Sequence, residues 1–522
     1  MNEEIKVVSR RTFLKGAVGV AGVTAALGLS GCTSVKTEST GTTKKAFKAD
    51  EVMSCDIVII GAGASGLAAA VEAGEAGANV VCIEGQGNAG GGARGVEGCF
   101  AVGSRMQKEQ GIKISSLGKL IREELKTGQF RSSGEGYIDL INNSGKNLDW
   151  LLDHGVIFGE IGSGDRANPH QNQVFHFYKS GAGAQDYVVP MLAAAQKAGA
   201  RFMFKTKGES LIMDEAGAAK GVYASTSDGK TIQINASSVI VATGGFAENL
   251  EYVAENGINT EYYHYEGFPG SDGSGNRMVV EAGGTNNRQN AAYLNVLSIK
   301  GLPGYFDNGK FSFWIGVAAP YAIWVNEKGR RFVNEDFAGD NPMSMAVPVR
   351  SNKKTFIVMD QAMMDRFTGG NADAIKQLQD GLKSGEIVSG NSIDELAKAM
   401  NVDPSNLNET FERYNAFCNQ QDDADFGKDP SVLVSLKPGP LYGLHVEYSV
   451  TTAIGSIKTD NNFNAIDKKG NPIKGLYVVG VEGAMLWANL YTFKVAGTCN
   501  GNNINSGRTA AKNALALMTH KK

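Results

Sequence analysis

A short apolar run followed at once by a glycine-rich turn is the clearest feature of the hydrophobic pattern. Residues 55–60 are apolar and β-branched, which predicts a buried parallel strand. Residues 61–66 read Gly-Ala-Gly-Ala-Ser-Gly, and the alanine-rich residues 67–76 predict a helix. A second apolar run at residues 79–83 predicts another strand, which ends at Glu84. The pattern therefore predicts a strand–turn–helix–strand unit that ends in an acidic residue.

Other periodic segments predict further helices and strands along the chain. Residues 192–199 predict a helix that ends at a glycine. Residues 354–359 predict a strand, and residues 392–400 and 404–420 predict two amphipathic helices. Residues 501–517 predict a last helix.

The glycine turn at residues 61–66 has the spacing of a dinucleotide-binding site. Gly61 permits the tight turn, Gly63 lets the backbone approach a pyrophosphate, and Gly66 lets the helix pack on the strand. The helix N-terminus favours the phosphate charge, and Glu84 can accept hydrogen bonds from ribose hydroxyls. Because strand, helix and acidic residue all stand at the required spacing, this site is favoured over a turn without nucleotide. The remaining turn residues expected at the cofactor are Ala62, Ala64 and Ser65.

Glycine clusters recur far beyond this turn, which favours FAD over NAD. They lie at residues 90–95, 239–246, 270–275 and 475–480, the last just before Glu482. An extended FAD needs backbone contacts along its whole length, so such a spread is expected. The residues predicted to contact it here are Gly91, Gly92, Ala93, Ala242, Thr243, Gly244, Asp272, Gly273 and Glu482.

The first residues have the pattern of an export signal. Ser-Arg-Arg-Thr-Phe-Leu-Lys at residues 9–15 precedes a small apolar run at residues 16–29, which resembles a twin-arginine signal. The run is too short for a comfortable membrane span. It ends at Leu-Ser-Gly-Cys, which resembles a lipoprotein cleavage box, so residues 1–32 predict a signal and Cys32 a lipid anchor in the membrane. A plain signal peptide with an incidental cysteine stays open, and residues 33–51 read as a polar tether.

Composition excludes several classes of protein. The 522 residues carry a formal net charge of −3, so no basic field attracts nucleic acid. The six cysteines lack the short spacing of iron–sulfur, zinc or haem sites, and the six histidines lack metal-ligand spacing. We therefore expect an organic cofactor, no metal and no second redox centre within the chain.

Three motifs together resemble the fumarate reductase and flavocytochrome c family, which includes urocanate reductases and ketosteroid dehydrogenases. They are Ala-Thr-Gly-Gly at 242–245, Gly-Ser-Asp-Gly at 270–273, and Val-Asn-Glu-Lys-Gly-Arg-Arg-Phe-Val-Asn-Glu at 325–335. The likeness covers residues 52–518. It implies an α/β fold: a Rossmann-like FAD-binding domain (52–290 and 445–518) with an inserted α+β capping domain (291–444). It also implies flavin contacts from Gly98, Gly497, Cys499 and Asn500.

The chain departs from the resemblance where the chemistry is expected. In the family's reductases an arginine four residues beyond the last glutamate of the 325–335 motif supplies the proton, but here that position is Gly339. Its usual relay partners fall near Ile315 and Ala318. A histidine pair is replaced by Thr-Thr at 451–452, and an arginine by Lys494. A fumarate site needs several fixed cations, so a neutral, monoanionic or aromatic substrate is favoured.

Three residues are candidates to replace the missing donor. Tyr491 lies close to where ketosteroid dehydrogenases carry a catalytic tyrosine, and Lys494 could lower its pKa. Asp340, one residue past the position of the missing arginine, could act if burial raises its pKa. The alternatives stay open: Tyr491 as a packing or stacking surface, Lys494 in solvent, and Asp340 in a turn with Asn341 and Pro342.

Other side chains could line the substrate site. His170 and His176 lie in a Gln- and Asn-rich segment that could face the flavin. Aromatic residues could stack on a flat substrate or pack the cap against the FAD domain. They are Trp314, Trp324, Trp487, Tyr305, Tyr321, Phe311 and Phe313.

The resemblance implies an exported FAD-dependent oxidoreductase that reduces an activated C=C bond of a small organic molecule. The substrate class would be aromatic, enone or acrylate, with hydride from flavin N5. Electrons would come from a separate donor, such as a membrane cytochrome, a quinol or an FMN carrier. Two alternatives stay open: a dehydrogenase of ketosteroid type, and a non-catalytic flavin electron-relay lipoprotein.

Overall fold

A parallel sheet carries the first glycine turn at the end of one of its buried strands. The computed structural model describes residues 47–114, 116–163, 172–302, 319–340, 345–492 and 495–519. Lys48–Lys522 form one compact unit. The export signal and Cys32 lie outside the described residues, as does most of the predicted tether. Within the described ranges, no helix combines the length and apolar character needed to cross a membrane.

The strands of the described residues follow in chain order. They are β1 (Glu51–Ser54), β2 (Ile57–Ile60), β3 (Val80–Ile83), β4 (Gly98–Phe100), β5 (Phe158–Gly162), β6 (Phe175–Tyr178), β7 (Arg201–Met203), β8 (Thr206–Met213), β9 (Ala219–Thr226), β10 (Thr231–Asn235), β11 (Ser238–Val241), β12 (Tyr263–Tyr265), β13 (Ala292–Ile299), β14 (Ile323–Asn326), β15 (Thr355–Asp360), β16 (Ile387–Gly390), β17 (Leu441–Ile454), β18 (Asn464–Ile466) and β19 (Pro472–Val478).

The α-helices are numbered in the same way. They are α1 (Ala64–Glu75), α2 (Arg105–Glu109), α3 (Leu117–Thr127), α4 (Gly134–Asp153), α5 (Val189–Lys197), α6 (Leu250–Ala254), α7 (Ser274–Glu281), α8 (Phe337–Asp340), α9 (Ala346–Arg350), α10 (Gln361–Thr368), α11 (Ala372–Ser384), α12 (Ile393–Met400), α13 (Pro404–Gln420), α14 (Gly480–Gly483) and α15 (Thr498–Thr519).

The central sheet has the order β18-β19-β11-β2-β3-β7. Strand β2 pairs in parallel with β3 and with β11, and β11 pairs in parallel with β19. All four residues of each of β2, β3 and β11 are buried, as expected for strands covered on both faces. Because parallel strands share one carboxyl edge, the turns after β2 and β11 lie side by side there.

The first and last helices pack directly against each other beside this sheet. Helix α1 contains the predicted residues 67–76 almost entirely, and α15 extends the predicted 501–517 by three residues at its start. A Cβ on Gly507 would lie 2.2 Å from the carbonyl oxygen of Ser65, so only glycine allows this approach. The close contact packs the middle of α15 against the start of α1.

A second core is built around the long strand β17. This sheet has the order β12-β17-β15-β14, with β13 and β16 also paired to β17. Helices α12 and α13 start where the sequence predicts, because Ser392 and Asp403 cap them with side-chain hydrogen bonds. The side chain of Trp324 is fully buried in this core, so it packs the sheet.

The 325–335 motif forms a buried ion network in this part of the fold. Arg331 lies 2.7 Å from a carboxylate oxygen of Glu335 and 2.8 Å from one of Asp423. Lys428 lies 3.5 Å from Glu335 and donates to the carbonyl oxygen of Ala322 at 2.8 Å. The network ties the turn after β14 to the segment after α13, so the motif is part of the structural core here.

Candidate active site

The first glycine turn has two glycines that the fold needs and one that faces open space. A Cβ on Gly61, whose φ is +105°, would lie 2.4 Å from the carbonyl oxygen of Ala242. A Cβ on Gly66 would lie 1.9 Å from the carbonyl oxygen of Gly61. Gly63 has a φ of −78°, and its Cβ would meet only the oxygen of Gly90, at 3.8 Å. The turn is therefore closed by protein at its two ends and open in the middle.

The other residues of this turn are held by hydrogen bonds. The N–H of Ala62 donates to Glu84 at 2.8 Å, and the N–H of Gln86 donates to the other carboxylate oxygen at 2.8 Å. The carbonyl oxygen of Ala64 accepts from Tyr187 at 2.7 Å, while Ser65 is buried at the start of α1. A carboxylate has about four acceptor sites, so Glu84 retains capacity for a ribose.

A second glycine turn stands beside the first. The N–H of Gly90 donates to the carbonyl oxygen of Ala62 at 2.8 Å. A Cβ on Gly91 or on Gly92 would find no atom within 4 Å, whereas Ala93 is buried. Two glycine turns therefore border one open strip of backbone.

The turn after β11 is fixed from behind by Glu482. The Thr243 hydroxyl and the Gly245 N–H donate to its carboxylate at 2.8 and 2.9 Å, and Ser456 also hydrogen-bonds to it. Burial raises the pKa of Glu482. Glu482 is fully buried at this turn, and its contact with the cofactor stays a prediction. Its observed role is to hold the turn in shape.

The 270–275 turn packs against the same loop. Ser271 donates to the carbonyl oxygen of Gly244 at 3.0 Å, and a Cβ on Gly275 would lie 1.9 Å from the hydroxyl of Thr243. Gly273 has a φ of +78° and begins α7. The carboxylate of Asp272 accepts from Lys207 at 2.5 Å and from the N–H of Ser274 at 2.9 Å. The turn at residues 270–275 therefore packs directly against the turn at residues 242–245.

The N-terminus of α15 carries buried polar atoms that lack protein partners. Asn500 donates to the carbonyl oxygen of Gly98 at 2.9 Å and to Tyr178 at 3.1 Å, but its own Oδ1 has no partner in the described part of the protein. The same holds for Asn502 Nδ2 and Asn503 Oδ1. Buried polar atoms are nearly always hydrogen-bonded, so these atoms fit a bound polar ligand. With the open glycine strip, they fit FAD.

Tyr491 lies at this same helix terminus. It is 5% exposed, and its ring centroid is 5.0 Å from that of Trp487. The Thr498 side chain and the Cys499 backbone hydrogen-bond to its hydroxyl. Burial raises the pKa of Tyr491 well above its ordinary value; Lys494, which could lower this pKa, lies outside the described residues. Burial likewise raises the pKa of the Cys499 thiol, to about 12.

The other two catalytic candidates are less fully placed. Asp340 is the last residue of α8, so the chain is helical up to that residue. Lys494 lies outside the described residues. Gly497, with a φ of +79°, begins the approach to α15, and its Cβ would lie 2.6 Å from the N atom of Phe100. Among the described side chains, that of Tyr491 lies beside the N-terminus of α15.

Buried apolar side chains surround Tyr491, and we call this group the Trp487 cluster. Its members are Phe100, Leu120, Tyr137, Leu140, Ile141, Val174, Ala292, Ile454, Ala484, Leu486, Trp487, Tyr491 and Val495. Leu294 packs against it and pairs with Thr452, one of the two threonines that replace the family's histidine pair. Apolar and aromatic surface favours a flat, weakly charged substrate.

His176 is a structural residue. Its ring is fully buried, with Nε2 2.8 Å from the Ser104 hydroxyl and Nδ1 3.3 Å from the carbonyl oxygen of Val174. Burial lowers its pKa to about 4. The idea that His176 faces the flavin therefore gives way to a neutral histidine that caps α2 through Ser104. His170 lies outside the described residues, as do Trp314, Tyr305, Phe311 and Phe313.

Sequence reasoning missed Glu124, a buried acid beside the Trp487 cluster. It lies on α3 and accepts hydrogen bonds from Tyr137 at 2.9 Å and from the N–H of Val495 at 2.5 Å. Leu120 lies one turn earlier on the same buried face. A glutamate at i+4 from a buried leucine was the available signal.

Comparison with known proteins agrees with this geometry. The family model described as FAD binding domain matches residues 56–488. A vinyl phenol reductase of Lactiplantibacillus plantarum is 29% identical over 504 residues, covering 90% of this chain and 97% of that protein. A urocanate reductase of Eggerthella lenta is 26% identical over 475 residues, covering 88% and 75%.

Solved structures show the same fold. The open conformation of a flavocytochrome c3 fumarate reductase superposes with a TM-score of 0.66 at 19% identity, covering 90% of this chain and 79% of that one. A 3-ketosteroid dehydrogenase from Rhodococcus jostii gives 0.65 at 21% identity, covering 90% and 98%. These matches confirm the family resemblance, the α/β FAD-binding fold and the FAD cofactor predicted from the sequence.

Proposed function

Because this chain belongs to the FAD binding domain family, we propose that it reduces a C=C bond conjugated to an aromatic ring in a small, weakly charged molecule. Its relatives include FAD-dependent reductases of the fumarate reductase type, and the chain is an oxidoreductase of this class. A vinyl phenol is the substrate we favour among the small alkenes. The related vinyl phenol reductase, aligned along nearly its full length, supports this choice.

The carrying observation is the placement of Tyr491 in the Trp487 cluster. Its hydroxyl lies at the N-terminus of α15, where Thr498 and the Cys499 N–H hydrogen-bond to it. The buried ring of Trp487 packs against Tyr491, and that of Tyr137 packs against Trp487, so the surroundings of Tyr491 are apolar and aromatic. Where a fumarate site needs cations, this chain has Gly339 and Thr452. Such a site favours an aromatic alkene over a dicarboxylate.

The residues that would hold FAD are those of the four glycine-bearing turns and the start of α15. The turns at residues 61–66 and 90–95 leave open backbone for the pyrophosphate, and Glu84 can accept from the ribose. The orphaned amides of Asn500 and Asn502 would meet polar atoms of the cofactor. When bound, FAD supplies the hydride, and thus both electrons, for the reduction.

The chain's own contribution is positioning and a proton. The apolar side chains of the Trp487 cluster keep water from the surroundings of Tyr491. Tyr491 then donates its hydroxyl proton to the alkene carbon that does not receive hydride, so the C=C bond gains one hydride and one proton, which together are two hydrogen atoms. Donors from Thr498 and Cys499 stabilise the phenolate until solvent reprotonates it. Lys494 and Asp340 stay proposed helpers of this step.

Rapid mixing of the reduced protein with a panel of alkenes tests the proposal. The purified flavoprotein is reduced with dithionite under anaerobic conditions and mixed with 4-vinylphenol, an enone, acrylate, urocanate or fumarate. We expect 4-vinylphenol to reoxidise the flavin at least about tenfold faster than fumarate. Faster reoxidation by fumarate would refute the substrate class. Bleaching of the oxidised flavin by a saturated ketone would favour the dehydrogenase. If no alkene of the panel reoxidises the reduced flavin, the electron-relay alternative would be favoured.

A hydroxyl deletion tests the proton donor. Tyr491→Phe should lower the reoxidation rate about 10²- to 10⁴-fold, the usual contribution of a general acid. The matched control is Tyr442→Phe. Tyr442 lies on β17 outside the Trp487 cluster, and the substitution deletes one hydroxyl, which hydrogen-bonds to Gln361. Full turnover in Tyr491→Phe would remove Tyr491 from the mechanism.

We also propose that the protein is exported and lipid-anchored, and that a separate donor reduces it. The paired Arg10 and Arg11 and the apolar run before Cys32 support this assignment. The domain bounds 52–290, 291–444 and 445–518 belong to the same proposal. Replacing both arginines by lysine should leave the protein in the cytoplasm, and Cys32→Ala should release it from the membrane fraction. Unchanged fractionation of both variants would refute export by this route.

A further inference from the structure

Glu124 is a buried acid that the proposed reaction does not use. It is 1% exposed and lies on the buried face of α3. One carboxylate oxygen accepts the N–H of Val495 at 2.5 Å, and the other accepts the hydroxyl of Tyr137 at 2.9 Å and hydrogen-bonds to the Thr492 hydroxyl. Burial raises the pKa of Glu124, while these donors lower it. A carboxyl in such a place is costly unless its hydrogen bonds are all formed.

These bonds hold the segment that carries Tyr491. Thr492 follows Tyr491 directly, and its hydroxyl also accepts from Trp487 Nε1 at 3.3 Å. Tyr137 stands 3.2 Å from the same hydroxyl and edge-on to the Trp487 ring. Glu124 therefore bonds directly to the hydroxyls of Thr492 and Tyr137, and through the Thr492 hydroxyl it is linked to the Nε1 of Trp487.

The helical hairpin of α3 and α4 grips this loop at two further points. Arg131 donates to the Asn489 side chain at 2.6 Å, and the N–H of Ser133 donates to the carbonyl oxygen of Leu486 at 2.9 Å. Asn489 has a φ of +49°, so the loop is sharply turned there. The two helices and their connection therefore hold the segment of residues 486–495 at several points, and the contact made by Glu124 is fully buried.

We propose that Glu124 is a positioning residue, which sets the register of Tyr491 and Trp487 against the N-terminus of α15. This proposal rests on the proposed function for its kinetic effect, but its structural effect is independent of any substrate. Misplacing a reacting group by about 1 Å can cost about 100-fold in rate. We therefore expect the effect in turnover and not in flavin retention.

Glu124→Gln is the informative variant. The amide oxygen can still accept the Val495 N–H. The NH₂ group can donate to the Thr492 and Tyr137 hydroxyls, so these two hydrogen bonds are kept but their direction is reversed. Glu123→Gln, next to it on α3, is the matched control, and Thr492→Val removes the link between Glu124 and Trp487. We expect Glu124→Gln and Thr492→Val to lower kcat per bound flavin about 10- to 100-fold with little change in KM. The melting temperature should change little in Glu124→Gln but fall in Thr492→Val, because that variant removes a hydrogen bond from Glu124 and the partner of Trp487 Nε1.

Near-ultraviolet circular dichroism of the flavin-free protein supplies the readout that needs no substrate. The near-ultraviolet band that is present in the wild type and absent from Trp487→Phe is assigned to the Trp487 ring and its packing. We expect this band to weaken in Glu124→Gln and to persist in Glu123→Gln. An unchanged band with turnover within about twofold would overturn the proposal. A fall in melting temperature with unchanged kcat per flavin would make Glu124 merely structural. If Tyr491→Phe keeps full turnover while the near-ultraviolet band weakens in Glu124→Gln, the proposed proton donor is wrong but the positioning role of Glu124 stands.

Discussion

The carboxylate of Glu84 accepts the backbone N–H of Ala62 at 2.8 Å, although the two residues are 22 positions apart. The bond joins the end of β3 to the glycine turn after β2. It presets the acidic residue at the edge where a dinucleotide crosses parallel strands. The ribose site and the pyrophosphate site are therefore built as one unit before the cofactor binds.

Removing this carboxylate should weaken FAD binding. Glu84→Ala loses the acceptor for ribose hydroxyls and leaves the Ala62 N–H without its bond. Charge-assisted hydrogen bonds contribute about 1.5–3 kcal/mol, so we expect the Kd for FAD to rise at least about tenfold. Titration of the flavin-free protein with FAD measures this Kd, and Glu109→Ala on the exposed side of α2 is the control. An unchanged Kd would separate Glu84 from the cofactor.

Gly63 and Gly66 should respond to alanine in opposite ways. Gly66→Ala places a Cβ 1.9 Å from the Gly61 carbonyl oxygen, so it should destabilise the protein with or without FAD. Gly63→Ala fits the empty protein, because its φ is −78° and the nearest atom lies at 3.8 Å. Its cost should appear only when a phosphate must approach the backbone. Thermal melts with and without FAD distinguish the two; equal destabilisation in the flavin-free state would contradict the open strip.

Local pattern predicted the parts of the fold that local chemistry determines. Two parts of the fold show this: the unit from β2 to Glu84, and the helices capped by Ser392 and Asp403. Each of their elements has at least one end within one or two residues of the predicted end. Glu124 and Glu482 were not predicted in their observed roles. Each acts through contacts with partners far along the chain, such as Val495 and Thr243, and no short sequence window contains both ends of such a contact.

His176 should make stability depend on pH in the acidic range. Its pKa is about 4 in the folded protein, against an ordinary value of 6.5, because burial disfavours the charged ring. Between these values the unfolded chain binds a proton that the folded protein does not. Stability therefore falls as pH falls through this window, by about 2 kcal/mol between pH 7 and pH 5.

Urea unfolding at pH 7 and pH 5 checks this linkage. His176→Gln, which can still bond to Ser104, should flatten the dependence relative to the wild type. The exposed His264→Gln should not. An equal slope in His176→Gln would show that His176 is not the group that titrates.

The buried ion network of Arg331, Glu335, Asp423 and Lys428 should be sensitive to loss of one partner. Glu335→Ala leaves Arg331 and Lys428 buried with Asp423 as their remaining carboxylate. Breaking a buried pair in this way costs about 3–5 kcal/mol. Chemical denaturation measures the loss. Asp380→Ala, which removes the exposed partner of Lys376, should change stability little, and a similar loss in both variants would rule out burial as the cause.

The raised pKa of Tyr491 predicts the alkaline side of the rate profile. A general acid must hold its proton, and burial keeps the pKa of this phenol well above its ordinary value of 10.0. The rate of reoxidation by an alkene should therefore show no loss due to Tyr491 between about pH 7 and pH 9. A profile that falls with an apparent pKa near 8 in the wild type, and loses that limb in Tyr491→Phe, would mean that a cation lowers the phenol's pKa as the sequence first suggested. In that case Lys494→Ala should move the limb to higher pH, because removing the positive charge disfavours the phenolate. The pair of profiles thus decides whether burial or Lys494 governs the donor.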